Sequence, residues 1–179
     1  MMLVAGRRNA KSRTLPSRQR CRQLYMTQSS ETYFEIFDGG DLIRLEPYQT
    51  IKYDSQLDWD KNWIKTKVTI KGGAFSGQYV ADFMTTDFEL LKRDIKKLDK
   101  DFNGTAKFES IEGQLSLNIS GDGLGHFEVK CLAQDQAGIG TTLSFALSFD
   151  QTELTRLIIE LDKITKAFPI SGDMILKNE

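Results

Sequence analysis

The chain of 179 residues is 40% hydrophobic and 27% charged, a balance that excludes a disordered chain and a membrane-embedded one. No apolar run approaches the ~20 residues of a membrane helix, and a chain of this length buries a core without disulfide staples. The net charge of −1 hides an asymmetry: residues 1–25 carry seven basic side chains and no acid, leaving 17 basic against 25 acidic side chains, a net of −8, in the rest.

Residues 1–25 read as a basic, disordered leader or as a segment ahead of a mis-set start. An arginine- and serine-rich nucleic-acid arm and a transit-like peptide are further readings of the same composition. Met26 opens "MTQSSETYFEIF", where ordered patterning begins, which favours the mis-set start and gives a single α+β domain over 26–179. "MLVAG" is too short for the apolar region of a secretory signal. Cys21 and Cys131 share no CxxC spacing, so a reducing, cytoplasmic setting is expected.

In chain order, "TYFEIF" and "DLIRLEP" flank Asp38-Gly39-Gly40 as a hairpin. "YQTIKYDSQLDWDKN" reads as a polar loop. "WIKTKVTIK" alternates strictly, with Ile64, Thr66, Val68 and Ile70 on one face and Lys65, Lys67, Thr69 and Lys71 on the other. After Gly72-Gly73, "FSGQYVADF" returns with Phe75, Tyr79, Ala81 and Phe83 on one face. Phe88, Leu91, Ile95, Leu98 and Phe102 then fall at helical spacing, with Thr86 and Glu89 as a capping box and Asn103-Gly104 as the stop.

Four strands follow, "AKFESI", "QLSLNIS", "HFEVKCLA" and "TTLSFALSF", and then a helix with the stripe Leu154, Leu157, Ile158, Leu161 and Ile164. Asp150 and Glu153 cap this helix and Pro169 stops it. Residues 87–100 overlie 150–163 with seven of fourteen positions identical, which suggests a strand-helix duplication. The expected fold is α+β: a mostly antiparallel sheet of about eight strands with two amphipathic helices packed on one face. The other face would show Lys65, Lys67, Lys71, Ser116, Asn118, Glu128, Lys130 and Ser144.

"SGDGLGHFEV" holds the one histidine of the chain, His126, behind three alternate glycines. A phosphate-cradling loop runs from a strand into a helix, whose N–H groups meet the anion. This stretch joins two strands, so Gly121, Asp122, Gly123 and Gly125 read as a structural turn. His126 has no sequence neighbour fit for nucleophilic or metal chemistry, although Asp122 or Cys131 could approach it in space. Cys131 reads as a small buried hydrophobe. Asp58, Asp60 and Asn62 match the opening of a calcium loop, but its sixth position is Trp63 and its twelfth Thr69, so a metal loop is rejected. No cofactor, metal or catalytic residue is expected. The acidic body disfavours nucleic acid and suits a basic protein partner.

The segments "DWDKNWIKTKVTIKGGAFSGQYVADFMTTDFELL", "LDKDFNGTAKFESIEGQLSLNISGDGLGHFEV" and "LSFALSFDQTELTRLIIELDKITKAFP", in this order, resemble the WapI-type bacterial immunity proteins over roughly residues 31–170. The resemblance rests on the combination of the Asn62-Trp63 strand entry, "FSG", "EGQLSL", "GDGLGH" and "DQTEL"; none of these is catalytic. It implies a cytoplasmic antitoxin that binds, without catalysis, the C-terminal toxin domain of WapA-like polymorphic toxins, some of which cleave tRNA; with the acidic body, the expected partner is a basic nuclease. It implies no individual contact residues; the open sheet face, the Tyr48–Trp63 loop and the acidic surface are the candidates. The alternatives are an uncharacterised housekeeping or small-ligand-binding domain, and a small enzyme using His126 with Asp122 or Cys131.

Overall fold

The structure, a computed structural model, describes residues 32–52 and 57–173. The leader expected at residues 1–25 lies outside the described residues. The elements run β1 (Phe34–Asp38), β2 (Asp41–Thr50), a 3-10 turn (Trp59–Asn62), β3 (Trp63–Gly72), β4 (Phe75–Met84), α1 (Thr85–Asp101), β5 (Asn103–Glu109), β6 (Leu115–Asp122), β7 (His126–Gln134), β8 (Thr142–Asp150), a second 3-10 turn (Gln151–Glu153) and α2 (Leu154–Ala167). The eight strands and two helices expected from periodicity are present, in an α+β fold.

The strands divide into two antiparallel sheets of four, β1-β2-β3-β4 and β5-β6-β7-β8, each followed by a helix. The duplication suggested by the two helical segments is therefore also a repetition of architecture. Within each sheet every strand pairs with its neighbour in sequence, because each connection there is short enough to be a hairpin or a compact loop. α1 intervenes after β4 and starts the second sheet afresh.

Alternation along the strands sends one face of each sheet inward. Phe34, Ile36, Ile43, Leu45, Ile64, Val68 and Phe83 of the first sheet are buried, as are Phe108, Leu117, Ile119, Phe127 and Val129 of the second. Together with Phe88, Leu91, Ile95 and Leu98 of α1 and Leu154, Leu157, Leu161 and Ile164 of α2, they form one continuous core. The two halves meet at an aromatic trio. The Phe83 ring lies 5.1 Å from Phe108 and the Phe88 ring 5.3 Å from Phe108, both edge-on. These rings bring β4, α1 and β5 to one point, in the geometry aromatic pairs prefer.

Three local devices differ from their expected form. α1 is capped at Met84, whose N–H donates to the Asp87 carboxylate at 3.0 Å, so the cap lies two residues ahead of the expected Thr86–Glu89 pair. The helix ends at Phe102, which takes a left-handed φ of 54° while its N–H donates to the Leu98 carbonyl at 2.8 Å. Asn103 and Gly104, expected as the stop, open β5 instead, because they pair with Asp122 and Gly121 of β6.

Candidate interaction surfaces

The turn between β6 and β7 is organised by Asp122. Its Oδ1 accepts from the Leu124 N–H at 2.7 Å and the His126 N–H at 3.2 Å, and its Oδ2 lies 3.0 Å from His126 Nδ1. Gly123 takes φ +80°, open to glycine at little cost, and its N–H donates to the Phe102 carbonyl at 2.8 Å. Gly121 answers a different need: a Cβ there would run into the Phe102 carbonyl oxygen. Gly125 lies under Gln151, whose N–H donates to the Gly125 carbonyl at 2.8 Å. These contacts bind the turn to the end of α1 and the start of α2. The segment leads into β7, not into a helix, so it offers no row of helix N-terminal N–H groups to an anion.

His126 and Cys131 lie on one strand five residues apart, hence on opposite faces. His126 points outward from β7, while Cys131 is buried opposite Leu117 and Phe145, with burial pushing its thiol up to about 12. A thiol held neutral in the core, facing away from the imidazole, forms no Cys–His pair. Across the sheet His126 pairs with Asp150, and Glu128 pairs with Ser120 on one side and Ser148 on the other. The Ser148 hydroxyl and N–H both donate to Asp38 of the first sheet, at 3.0 and 3.1 Å.

The result is a shallow cleft of about 390 Å³ lined by Ser120, Asp122, His126, Glu128 and Ser148, with Asp150 beside His126 and Asp38 beyond Ser148. The N–H of Leu124 holds the Asp122 carboxyl below its ordinary range, and the Thr152 hydroxyl does the same for Asp150. Both stay anionic at neutral pH. Such a cleft attracts guanidinium and ammonium groups. The Ser148 hydroxyl is spent on Asp38 rather than turned toward the imidazole, so Ser148 forms no Ser-His-Asp relay with His126.

The loop between β2 and β3 serves the framework. Asn62 is fully buried; its amide donates to the carbonyls of Asp58 and Ser171 at 2.7 and 2.9 Å, and its Oδ1 accepts from the Thr85 hydroxyl and the Ser171 N–H at 2.9 and 2.8 Å. Asp58 meets Lys61 at 2.7 Å and accepts from the Asp173 N–H at 3.1 Å. Asp58 and Asn62 of this pattern thus tie the segment after α2 to the start of β3. Among the described residues, no three His, Cys, Asp or Glu side chains are grouped to hold a metal.

The outward residues are shared between the two sheets. Lys65, Lys67 and Lys71 stand on β3, where Lys67 approaches Glu46 at 3.6 Å and Arg44 joins Glu35 at 2.9 Å against the Tyr33 ring. Ser116, Asn118, Glu128, Lys130 and Ser144 face out from the second sheet, a surface of small hydroxyls and mixed charge. Sequence reasoning missed Asp38 and Asp150 as members of the His126 cleft, since Asp38 arrives from the other sheet. Alternation alone could have placed Glu128 and His126 on one face.

Residues 34–169 match the model of the immunity protein WapI-like family, most of the chain. No curated protein matches. Among solved structures, the MRP1/MRP2 proteins of Trypanosoma brucei are similar at a TM-score of 0.45 and 9% identity, over 87% of this chain and 96% of theirs. No described helix is long and apolar enough to cross a membrane.

Proposed function

Because the chain belongs to the immunity protein WapI-like family, we propose that it is a cytoplasmic immunity protein that binds and neutralises a protein toxin domain, a basic nuclease, without catalysis. The observation that supports the basic partner is the acidic cleft around His126. Asp38, Asp122, Glu128 and Asp150 gather there from both sheets, and the body as a whole carries the same sign of charge. Complementary charge accelerates encounter and selects the partner. It also neutralises the cationic surface with which a nuclease holds phosphate.

The test is to isolate the tagged full chain from its own host, identify a stoichiometric protein partner, and assay that partner with and without the chain. The expected result is a basic nuclease whose activity the chain abolishes. Asp122→Asn with Asp150→Asn should slow association at low salt, and the difference should shrink as salt rises. A toxic partner that binds the chain and keeps its full activity would sink the reading.

A further inference from the structure

A strand at the edge of a sheet leaves a row of N–H and C=O groups unpaired, and proteins guard such edges. Three of the four edges here are guarded. On β1, the Glu35 N–H donates to Glu160 at 3.0 Å and the Glu35 carbonyl accepts from Arg156 at 3.0 Å. On β8, the Ser148 N–H donates to Asp38 at 3.1 Å. β5 runs beside α1, with Phe108 against Phe88. β4 has no such cover. Among the described residues, no hydrogen bond beyond those with β3 reaches the backbone of Phe75–Val80.

The sequence of this edge carries no guard either. Residues 72–81, "GGAFSGQYVA", hold ten positions without a charge or a proline. Lysine, proline and bulges are the usual guards, and the one irregularity of this sheet lies between Pro47 and Gln49, on the other side of β3. Along the inward side of β4 runs an open groove of about 490 Å³, lined chiefly by Ile70, Phe75, Tyr79, Ala133 and Leu143. Phe75 is 69% exposed and Val80 50% exposed, so apolar surface accompanies the open backbone.

We propose that β4 is a dimerisation edge, pairing antiparallel with β4 of a second copy about a two-fold axis at Gly77. The sequence around Gly77 is self-complementary in that register. Phe75 of each copy stands opposite Tyr79 of the other on the groove side, an aromatic cross-strand pair that fills the groove. Ser76 stands opposite Gln78 on the outward side, a hydrogen-bonding pair. Gly77 meets its own copy on the axis, where nothing lies within 4 Å of the place a Cβ would take. The uncharged segment Phe75–Ala81, ahead of Asp82, offers little charge complementarity to a basic partner, but it suits an equally uncharged segment, and the two-fold makes both halves of the contact identical. Lys65, Lys67 and Lys71 stand one strand further in, on β3, and of the residues lining the groove Asp135 alone carries a charge. This inference is independent of the toxin reading.

Sedimentation velocity of the full chain over a concentration series tests it. The wild-type chain should show a monomer–dimer equilibrium. S76K/Q78K should be monomeric with an unchanged far-UV spectrum, since both positions are exposed, and S76E/Q78E should be monomeric too. An equimolar mixture of the two should regain the dimer mass, because each lysine then faces a glutamate. A wild-type chain that is monomeric at its highest soluble concentration, a dimer that survives S76K/Q78K, or a mixture that stays monomeric overturns the proposal. A wild-type monomer whose edge variants lose a protein partner would also overturn it, assigning the edge to that partner's strand.

Discussion

Asp87 sits at the first turn of α1, where a carboxylate normally stabilises a helix through the N-terminal dipole. Burial opposes this. It raises the Asp87 carboxyl from 3.8 to about 6, while the hydrogen bond from the Met84 N–H pulls the other way. The folded protein therefore holds the Asp87 proton more tightly than the unfolded chain does. Stability from this group is present below pH 3.8 and is lost as pH rises through about 6. A separation of about two units corresponds to about 3 kcal/mol, at about 1.4 kcal/mol per unit. Asp87→Asn keeps an oxygen acceptor for Met84 and removes the titration. Denaturant unfolding followed by circular dichroism between pH 3.5 and 7.5 measures both proteins. The Asp87→Asn variant should gain about 2.4 kcal/mol on the wild type between pH 4 and pH 7, most of the full difference, with all other carboxyls common to the two. Parallel curves would refute the reasoning, since they would mean that Asp87 titrates alike in the folded and unfolded states.

At the β6–β7 turn, Gly123→Val should cost about 1–3 kcal/mol, because a β-branched side chain is strained at positive φ; a melting temperature equal to that of the wild type would count against this. Gly121→Ala should cost at least as much, although its φ is ordinary, because its Cβ would run into the Phe102 carbonyl oxygen and the backbones must part. Equal unfolding midpoints for Gly121→Ala and wild type would show that the turn gives way freely. Asn62→Ala removes both partners of the Ser171 backbone and strands the Thr85 hydroxyl, so a loss of about 2–4 kcal/mol is expected, with faster proteolysis of the segment after α2. Unchanged stability and cleavage would mean that the tie is idle.

How much of this was legible in the sequence depends on the range of the force involved. Alternation placed Ile64, Val68 and Ile70 inward and the β3 lysines outward, and the 3.6-residue stripe placed Leu91, Ile95 and Leu98 in the core. Both patterns record burial of one face, and burial acts on each residue where it stands. The family likeness was legible too, in the combined segments. The caps were legible only approximately: Met84 and Asp87 replaced the expected Thr86–Glu89 pair at the start of α1, and at its other end Phe102 became the cap, with Asn103 and Gly104 paired to β6.

Other features became visible only when distant residues met. No local pattern separates one sheet of eight strands from two sheets of four, since both satisfy the same alternation; the packing of α1 between the halves decides it. His126 was legible as exposed and poor in sequence partners, but Asp38 and Asp150 reached its cleft through strand pairing and sheet contact. Asn62 resembled a calcium ligand until the fold buried it against Ser171. The residues of β4 were readable as a strand from their alternation, and Phe75–Ala81 as uncharged from their letters. That β4 alone, among the described residues, is an edge without a guard follows from where α1, α2 and Asp38 came to rest, because a hydrogen-bonding edge is defined by what lies beside it in space.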